Sequence, residues 1–364
     1  MAPRKIFRTS LQLVWQRFLE CCVFRRQIEK YYLVMGGHIF FQTLSAAVQL
    51  DLFTLLARRA PLTQAGVSSA LHIDEKPARI LLLGCTALGL VRKNGDLYSN
   101  TRMANELLNR DKQRNICPVI AWQHFINYRP LYAFVDALKA NKNVGLAEFA
   151  GEGGTLYERL AGYPELERIF QQAMEGISAQ ANHLLVEAVD FGAFSHVLDV
   201  GGGNGTNVIE LAQRYPSLKA TVFDSASVGA IARANIAKAG LDGRVDAVAG
   251  DCFEDPFPKG VDCILFAHFM TIWSEAKNRA LLRKAFEALP PGGAVMVFNM
   301  MQRNDRRGPL SAAMGSPYFL TLATGEGMLY TWSEYETWMK DAGFATVTRR
   351  QLVRDHGIIL GLKG

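Results

Sequence analysis

The sequence predicts an α/β protein, a doubly wound and mostly parallel sheet preceded by a mainly helical N-terminal region. Three observations predict it. An apolar run, His196-Val197-Leu198-Asp199-Val200, leads into four glycines within five positions (Gly201, Gly202, Gly203, Gly205), and an amphipathic segment carrying Val208, Ile209, Leu211 and Ala212 follows. That order is strand, tight turn, helix, the opening unit of a doubly wound sheet. Further apolar strands recur at Ala220–Phe223, Val245–Ala249, Val261–His268 and Ala294–Phe298, separated by helical patterns. Upstream of residue 192 the pattern is almost wholly helical.

At 364 residues the chain is too long for one ordinary core and suggests two domains, and 49% hydrophobic with 20% charged residues describes a soluble globular protein. The net charge of +6 is mildly basic. Part of the excess lies in the first thirty residues, where Arg4, Lys5, Arg8, Arg17, Arg25, Arg26 and Lys30 face only Glu20 and Glu29. No basic block typical of a nucleic-acid tail follows. The 6 cysteines contain no CxxC pair and no metal-ligand spacing, so inert thiols in a reducing, cytoplasmic compartment and no metal site are expected. No apolar run approaches the roughly 20 residues that span a bilayer.

In chain order, residues 1–34 read as a helical arm whose Leu11, Val14, Phe18 and Cys22 recur at helical spacing. The segment from His38 to Phe53 is apolar nearly all round and is expected to be buried, against a partner subunit. Thr63 and Asp74 read as caps of two successive helices, and Leu90–Ser99 as a hairpin with an Asn94-Gly95 turn. Helix, helix, hairpin is a winged helix over residues 35–111. Its second helix offers only Lys76 and Arg79, too few for a DNA-reading helix, so dimerisation is the better assignment. Residues 112–191 form a helical connector with an aromatic helix at Trp122–Tyr128 and a helix from Tyr163-Pro164-Glu165 carrying Phe170, Met174 and Ile177 on one face. The α/β domain spans 192–364 and ends in an antiparallel pair, Ala345–Thr348 with Gly357–Leu360.

The chemistry concentrates at the strand ends. Glycines at 201, 203 and 205 permit positive φ and a close approach of ligand to backbone, and helix N–H groups point into the turn. Asp224 ends the next strand at about the 20-residue offset where an acid meets ribose hydroxyls. Asp251 and Phe253 set an acid beside an aromatic face where an adenine would lie.

LDVGGGNGT, VFDSASV, GDCFEDPFP, ALPPGGAVMVF and WMKDAGF together resemble the S-adenosylmethionine-dependent small-molecule O-methyltransferases of plants and bacteria, over about residues 35–364. The resemblance implies a Rossmann-like methyltransferase domain behind a winged-helix dimerisation domain, hence a homodimer, with S-adenosylmethionine as cofactor. By position it implies that Asp199, Gly201 and Gly203 hold the methionyl part, that Asp224 takes the ribose, and that Asp251 and Phe253 flank the adenine. It also implies an aromatic small-molecule acceptor, with Tyr128, Phe170, Met174 and Tyr330 as pocket walls and Gly315–Phe319 as a loop over it. The family's His general base falls on Thr271, its neighbouring Asp on Ile272, and its two supporting Glu on Asn299 and Leu329. Threonine and leucine do not act as bases near neutral pH. His124 on the connector and His268 at the end of the fourth strand are the candidate replacements. With the base gone, oxygen, carbon or nitrogen can be the acceptor. Retention of the cofactor for a non-methylating reaction such as a cyclisation, and a DNA-binding regulator that senses a nucleoside, are the competing readings.

Overall fold

The computed structural model describes Trp15, Phe18 and residues 24–364, which divide into two units, Met1–Ile120 and Ala121–Gly364. Most of the arm expected over residues 1–34, with Leu11, Val14 and Cys22, lies outside the described residues, and its end is helix α1 (Arg25–Met35).

In the first unit α2 (Gly37–Gln49) and α3 (Leu52–Arg59) are separated by Asp51, which turns the chain at a left-handed φ of 59°. Their inner faces bury Ala47, Val48, Leu52, Phe53 and Leu56. The segment is not buried all round within one chain, because Ile39 is 59% exposed; in α1, just before it, Tyr31, Tyr32, Val34 and Met35 are exposed too. Strand β1 (Leu62–Thr63), α4 (Gln64–Leu71), α5 (Glu75–Ala87), β2 (Val91–Asn94) and β3 (Leu97–Asn100) give the expected helix, helix and hairpin. Thr63 caps α4, its hydroxyl accepting the Gly66 N–H at 3.1 Å. The hairpin turns one residue later than the Asn-Gly pair suggests. Asn94 already pairs with Leu97, so Gly95-Asp96 is the loop and Gly95, at φ +56°, occupies its first position. β1 adds a third strand in the order β1-β3-β2, and α6 (Arg102–Leu107) follows.

Helix α7 (Cys117–Trp122) leads into the second unit. The aromatic helix expected at Trp122–Tyr128 is instead a π-helical turn, Gln123–Asn127. Such turns are uncommon and mark functional sites more often than ordinary helix does. Then come α8 (Phe134–Ala140), α9 (Leu156–Leu160) and α10 (Pro164–Ala188). Pro164 opens α10, where a missing N–H breaks no helical bond.

The sheet domain runs β4 (His196–Val200), α11 (Thr206–Arg214), β5 (Lys219–Asp224), α12 (Ala226–Lys238), β6 (Val245–Ala249), β7 (Cys263–Ala267), α13 (Glu275–Ala288), β8 (Ala294–Met300), α14 (Leu310–Tyr318), α15 (Trp332–Ala342), β9 (Thr346–Gln351) and β10 (His356–Leu362). The seven strands lie in the order β6-β5-β4-β7-β8-β10-β9, with β10 antiparallel to both neighbours and the rest parallel. Val197, Leu198, Val200, Ile264, Leu265, Val295 and Val297 are buried, as strands covered by helices on both faces require. The strand order reverses between β4 and β7, and a crevice opens beyond the carboxyl ends at such a point.

Gly315–Phe319 is not a loop. It is the end of α14 and the start of a π-helical turn, Phe319–Ala323. Pro317 is tolerated near the helix end, and the Ser316 hydroxyl donates back to the Ala312 carbonyl at 2.8 Å.

Candidate active site

At the switch point, β4 ends in Asp199-Val200 and the glycine turn begins. Gly201, Gly203 and Gly205 have φ of +71°, +58° and +84°. These values explain the glycines, since a side chain there is strained whatever surrounds it. Their surroundings differ. A Cβ on Gly201 would overlap the Phe269 ring, whereas one on Gly203 would meet no atom within 4 Å. Asp224, at the end of β5, accepts the Gly203 N–H at 3.0 Å and the Ser225 N–H at 2.7 Å. One carboxylate thus ties the turn to the neighbouring strand. Burial raises its pKa, and the two backbone donors partly offset that.

Asp199 is fully buried. One carboxylate oxygen accepts from the Asn207 amide at 3.0 Å, and the other, Oδ1, has no partner. Burial first, and the nearby Asp224 second, raise its pKa to about 7, with the Asn207 hydrogen bond opposing. A buried carboxylate with an unpaired oxygen beside an open glycine turn fits a cationic ligand, which would restore its charge and its missing bond. Asp251 is exposed beyond β6, and its carboxylate accepts the Phe253 N–H at 2.8 Å. Phe253 stands edge-on to Trp273 at 4.9 Å, and the Lys277 ammonium lies 4.7 Å from the Trp273 ring centre. The cofactor candidates Asp199, Gly201, Gly203, Asp224, Asp251 and Phe253 therefore follow one another along the carboxyl edge of β4, β5 and β6.

The acceptor candidates separate into groups. Phe170 is edge-on to Tyr157 at 5.8 Å, and Trp122 to Tyr318 at 5.1 Å. Met174, on the same helix as Phe170, is half-buried, and the next residue, Glu175, accepts a hydrogen bond from Asn204 of the glycine turn at 2.9 Å. This bond couples α10 to the turn. His124 and Tyr128, both half-buried, sit in and just after the π-helical turn that packs on α10, and His124 Nδ1 is buried without a partner. Tyr330 is built into the core among Tyr335 and Trp338, and its hydroxyl donates to the Trp273 carbonyl at 2.6 Å. Of the residues expected at the family's base and support positions, Thr271 and Leu329 are buried, and the Asn299 amide donates to Tyr335 at 3.3 Å.

His268 follows β7 directly, at the switch point. Its N–H donates to the Phe298 carbonyl at 2.8 Å, its φ is +54°, and its ring lies between Phe298 at 4.9 Å and His356 at 5.2 Å. Burial, with His356 adding to it, lowers its pKa to about 3, so the ring is neutral at physiological pH. Glu175, Asn204, Asn207 and His356 escaped the sequence reading. Asn204 and Asn207 stand inside the glycine motif and could have been suspected there. Glu175 and His356 meet the site only through long-range packing.

A family profile for the O-methyltransferase domain matches residues 131–345, and one for the O-methyltransferase dimerisation domain matches residues 32–110. The chain belongs to the O-methyltransferase family. It is 36% identical over 334 residues to the L-tyrosine C(3)-methyltransferase of Streptomyces lavendulae, covering 91% of each chain. It is 33% identical to the 3-hydroxy-5-methyl-1-naphthoate 3-O-methyltransferase of Streptomyces sahachiroi, over 88% of this chain and 91% of that one. Among solved structures, the S-adenosylmethionine-dependent methyltransferase SibL superimposes with a TM-score of 0.81 at 40% identity, over 91% of this chain and 98% of that one. The family member described here is an S-adenosylmethionine-dependent methyltransferase. The unpaired Asp199 oxygen beside an open turn suits that cofactor, which is cationic.

Proposed function

We propose that this enzyme methylates a hydroxylated aromatic small molecule of specialised metabolism at a ring carbon beside the hydroxyl. The observation that carries this reading is that a hydroxyl, an amide and an apolar side chain (Thr271, Asn299 and Leu329) stand where the sequence resemblance puts the family's base and its supports, in a chain that keeps the whole cofactor edge. Bound S-adenosylmethionine supplies a methyl group on a positively charged sulfur that a nucleophile displaces. The ring carbon beside a phenolic hydroxyl is already electron-rich, so it needs orientation more than a strong base. Asp199, Gly201 and Gly203 would hold the cationic methionyl end, Asp224 the ribose, and Asp251 with Phe253 the adenine. Tyr128, Phe170 and Met174 would wall the acceptor, with His124 and His268 as the polar groups that meet it. Tyr330 would support the wall from within the core. The identity to a tyrosine C-methyltransferase supports a carbon acceptor.

Oxygen is the second reading, favoured by the hydroxynaphthoate O-methyltransferase relative. Incubation with S-adenosylmethionine and tyrosine deuterated at both carbons beside the hydroxyl separates the two. Carbon methylation gives a product heavier by one methyl that has lost one deuterium. Retention of both deuterons in a methylated product would sink the carbon reading. The same assay on a panel of naphthols and aminophenols extends the test if tyrosine is not turned over. A cytoplasmic homodimer, joined through the first unit and with no nucleic-acid or membrane partner, completes the proposal.

A further inference from the structure

Two imidazoles lie together at the carboxyl edge of the central strands, one from the end of β7 and one from the start of β10. Their rings meet edge to face at 5.2 Å and 82°, and Phe298 of β8 touches both, at 4.9 Å from His268 and 5.4 Å from His356. His356 is 7% exposed, and its Nδ1 lies 2.9 Å from the Arg354 carbonyl oxygen. A carbonyl only accepts, so Nδ1 carries the hydrogen and Nε2 of the neutral ring carries a lone pair. That Nε2 is buried with no partner, and so is Nε2 of His268.

A spot that needed only filling would carry apolar rings. Each unpaired buried nitrogen forfeits a hydrogen bond it would make in water, and the left-handed backbone of His268 adds strain. Three unfavourable features coincide within one residue pair, beside the switch point where ligands bind. The other charged groups of these segments are engaged elsewhere. Arg354 donates to Gln180 of α10, and Asp355 accepts from Ser311.

We propose that His268 and His356 form a single recognition site for the hydroxyl of the aromatic acceptor, with His268 Nε2 accepting the hydroxyl hydrogen and His356 positioning the His268 ring. This assignment rests on the reading of the acceptor as a hydroxylated aromatic. Drawing on the hydroxyl hydrogen leaves the oxygen and the adjacent ring carbons richer in electrons. Burial keeps both rings neutral and hence able to accept.

The test uses the full-length enzyme saturated with S-adenosylhomocysteine, and p-cresol as the probe. Nitrogen-15 spectra of histidine-labelled protein are followed during a p-cresol titration whose affinity is measured independently by calorimetry. Two Nε2 signals, assigned by their loss in His268→Gln and His356→Gln, are expected to move with the calorimetric midpoint. His268→Phe, which keeps the aromatic packing, is expected to bind p-cresol about tenfold more weakly, the worth of one good hydrogen bond, with unchanged S-adenosylhomocysteine affinity. Calorimetric binding of p-cresol without movement of either signal, and with wild-type affinity in His268→Phe, would overturn the pair as a recognition site while leaving the aromatic reading intact. No binding of p-cresol or of any simple phenol would overturn the phenol reading and this assignment with it.

Discussion

Asp199 is the residue on which chemistry and stability pull in opposite directions. Its folded pKa of about 7 stands above the ordinary carboxylate value of 3.8, so the folded protein binds that proton more tightly than the unfolded chain does. Stability from this group is therefore full below about pH 4 and is lost as pH rises towards 7, at up to about 1.4 kcal/mol per pH unit. Asp224 shifts the same way. Asp199→Asn is expected to flatten the pH dependence of the unliganded melting temperature between pH 4 and 8 and to raise that temperature at pH 8. The same change should weaken S-adenosylmethionine binding by tenfold or more, because the asparagine has no charge to offer the cation. Melting curves that keep the parental pH slope would show that the penalty lies elsewhere.

At the level of the element, the glycine turn separates two reasons for the same residue. Gly201 is pressed against Phe269, and its Cβ would collide with the ring. Gly203 faces open space, so alanine there meets only the backbone penalty of about 1–2 kcal/mol for a left-handed residue. Gly201→Ala should therefore lower the melting temperature of the unliganded enzyme markedly more than Gly203→Ala. Gly203→Ala should remain folded yet lose S-adenosylmethionine affinity in calorimetry, since its methyl group occupies the space left for the ligand. Equal losses of stability would contradict the difference in packing. Helices at the site follow local rules more plainly. Thr331 and Glu334 cap α15 reciprocally, and Gly343 ends it at φ +109°.

For the whole molecule, the open question is what covers the first unit. Val34 is 84% exposed, and it adjoins Tyr31, Tyr32, Met35 and Ile39 in an apolar face that a lone chain leaves in water. The family profile over residues 32–110 is that of a dimerisation domain. Light scattering is expected to give twice the chain mass at micromolar concentration, and Val34→Asp with Ile39→Glu to give monomers. Dimers that survive the double substitution would put the interface on another face. No single helix among the described residues is long and apolar enough to cross a membrane.

The order of elements, the strand-turn-helix at Asp199–Thr206 and the acids at Asp224 and Asp251 were legible in the chain, because period, capping and glycine placement act over a few residues. Thr63 and Pro164 sat where their chemistry said helices begin. Other features needed the packed molecule. Tyr330 read as a pocket wall, and only burial among Tyr335 and Trp338 revealed a core residue with its hydroxyl engaged. Gly315–Phe319 was expected, from the resemblance, as a loop over the acceptor, yet it is the end of α14 and the start of a π-helical turn. His356 carried no signal at all, since β10 enters between β8 and β9, and it is this antiparallel insertion that brings it to His268. Local pattern records what the backbone does over one or two turns. Which side chains meet across the sheet depends on strand order, and that is set by burying the whole core at once.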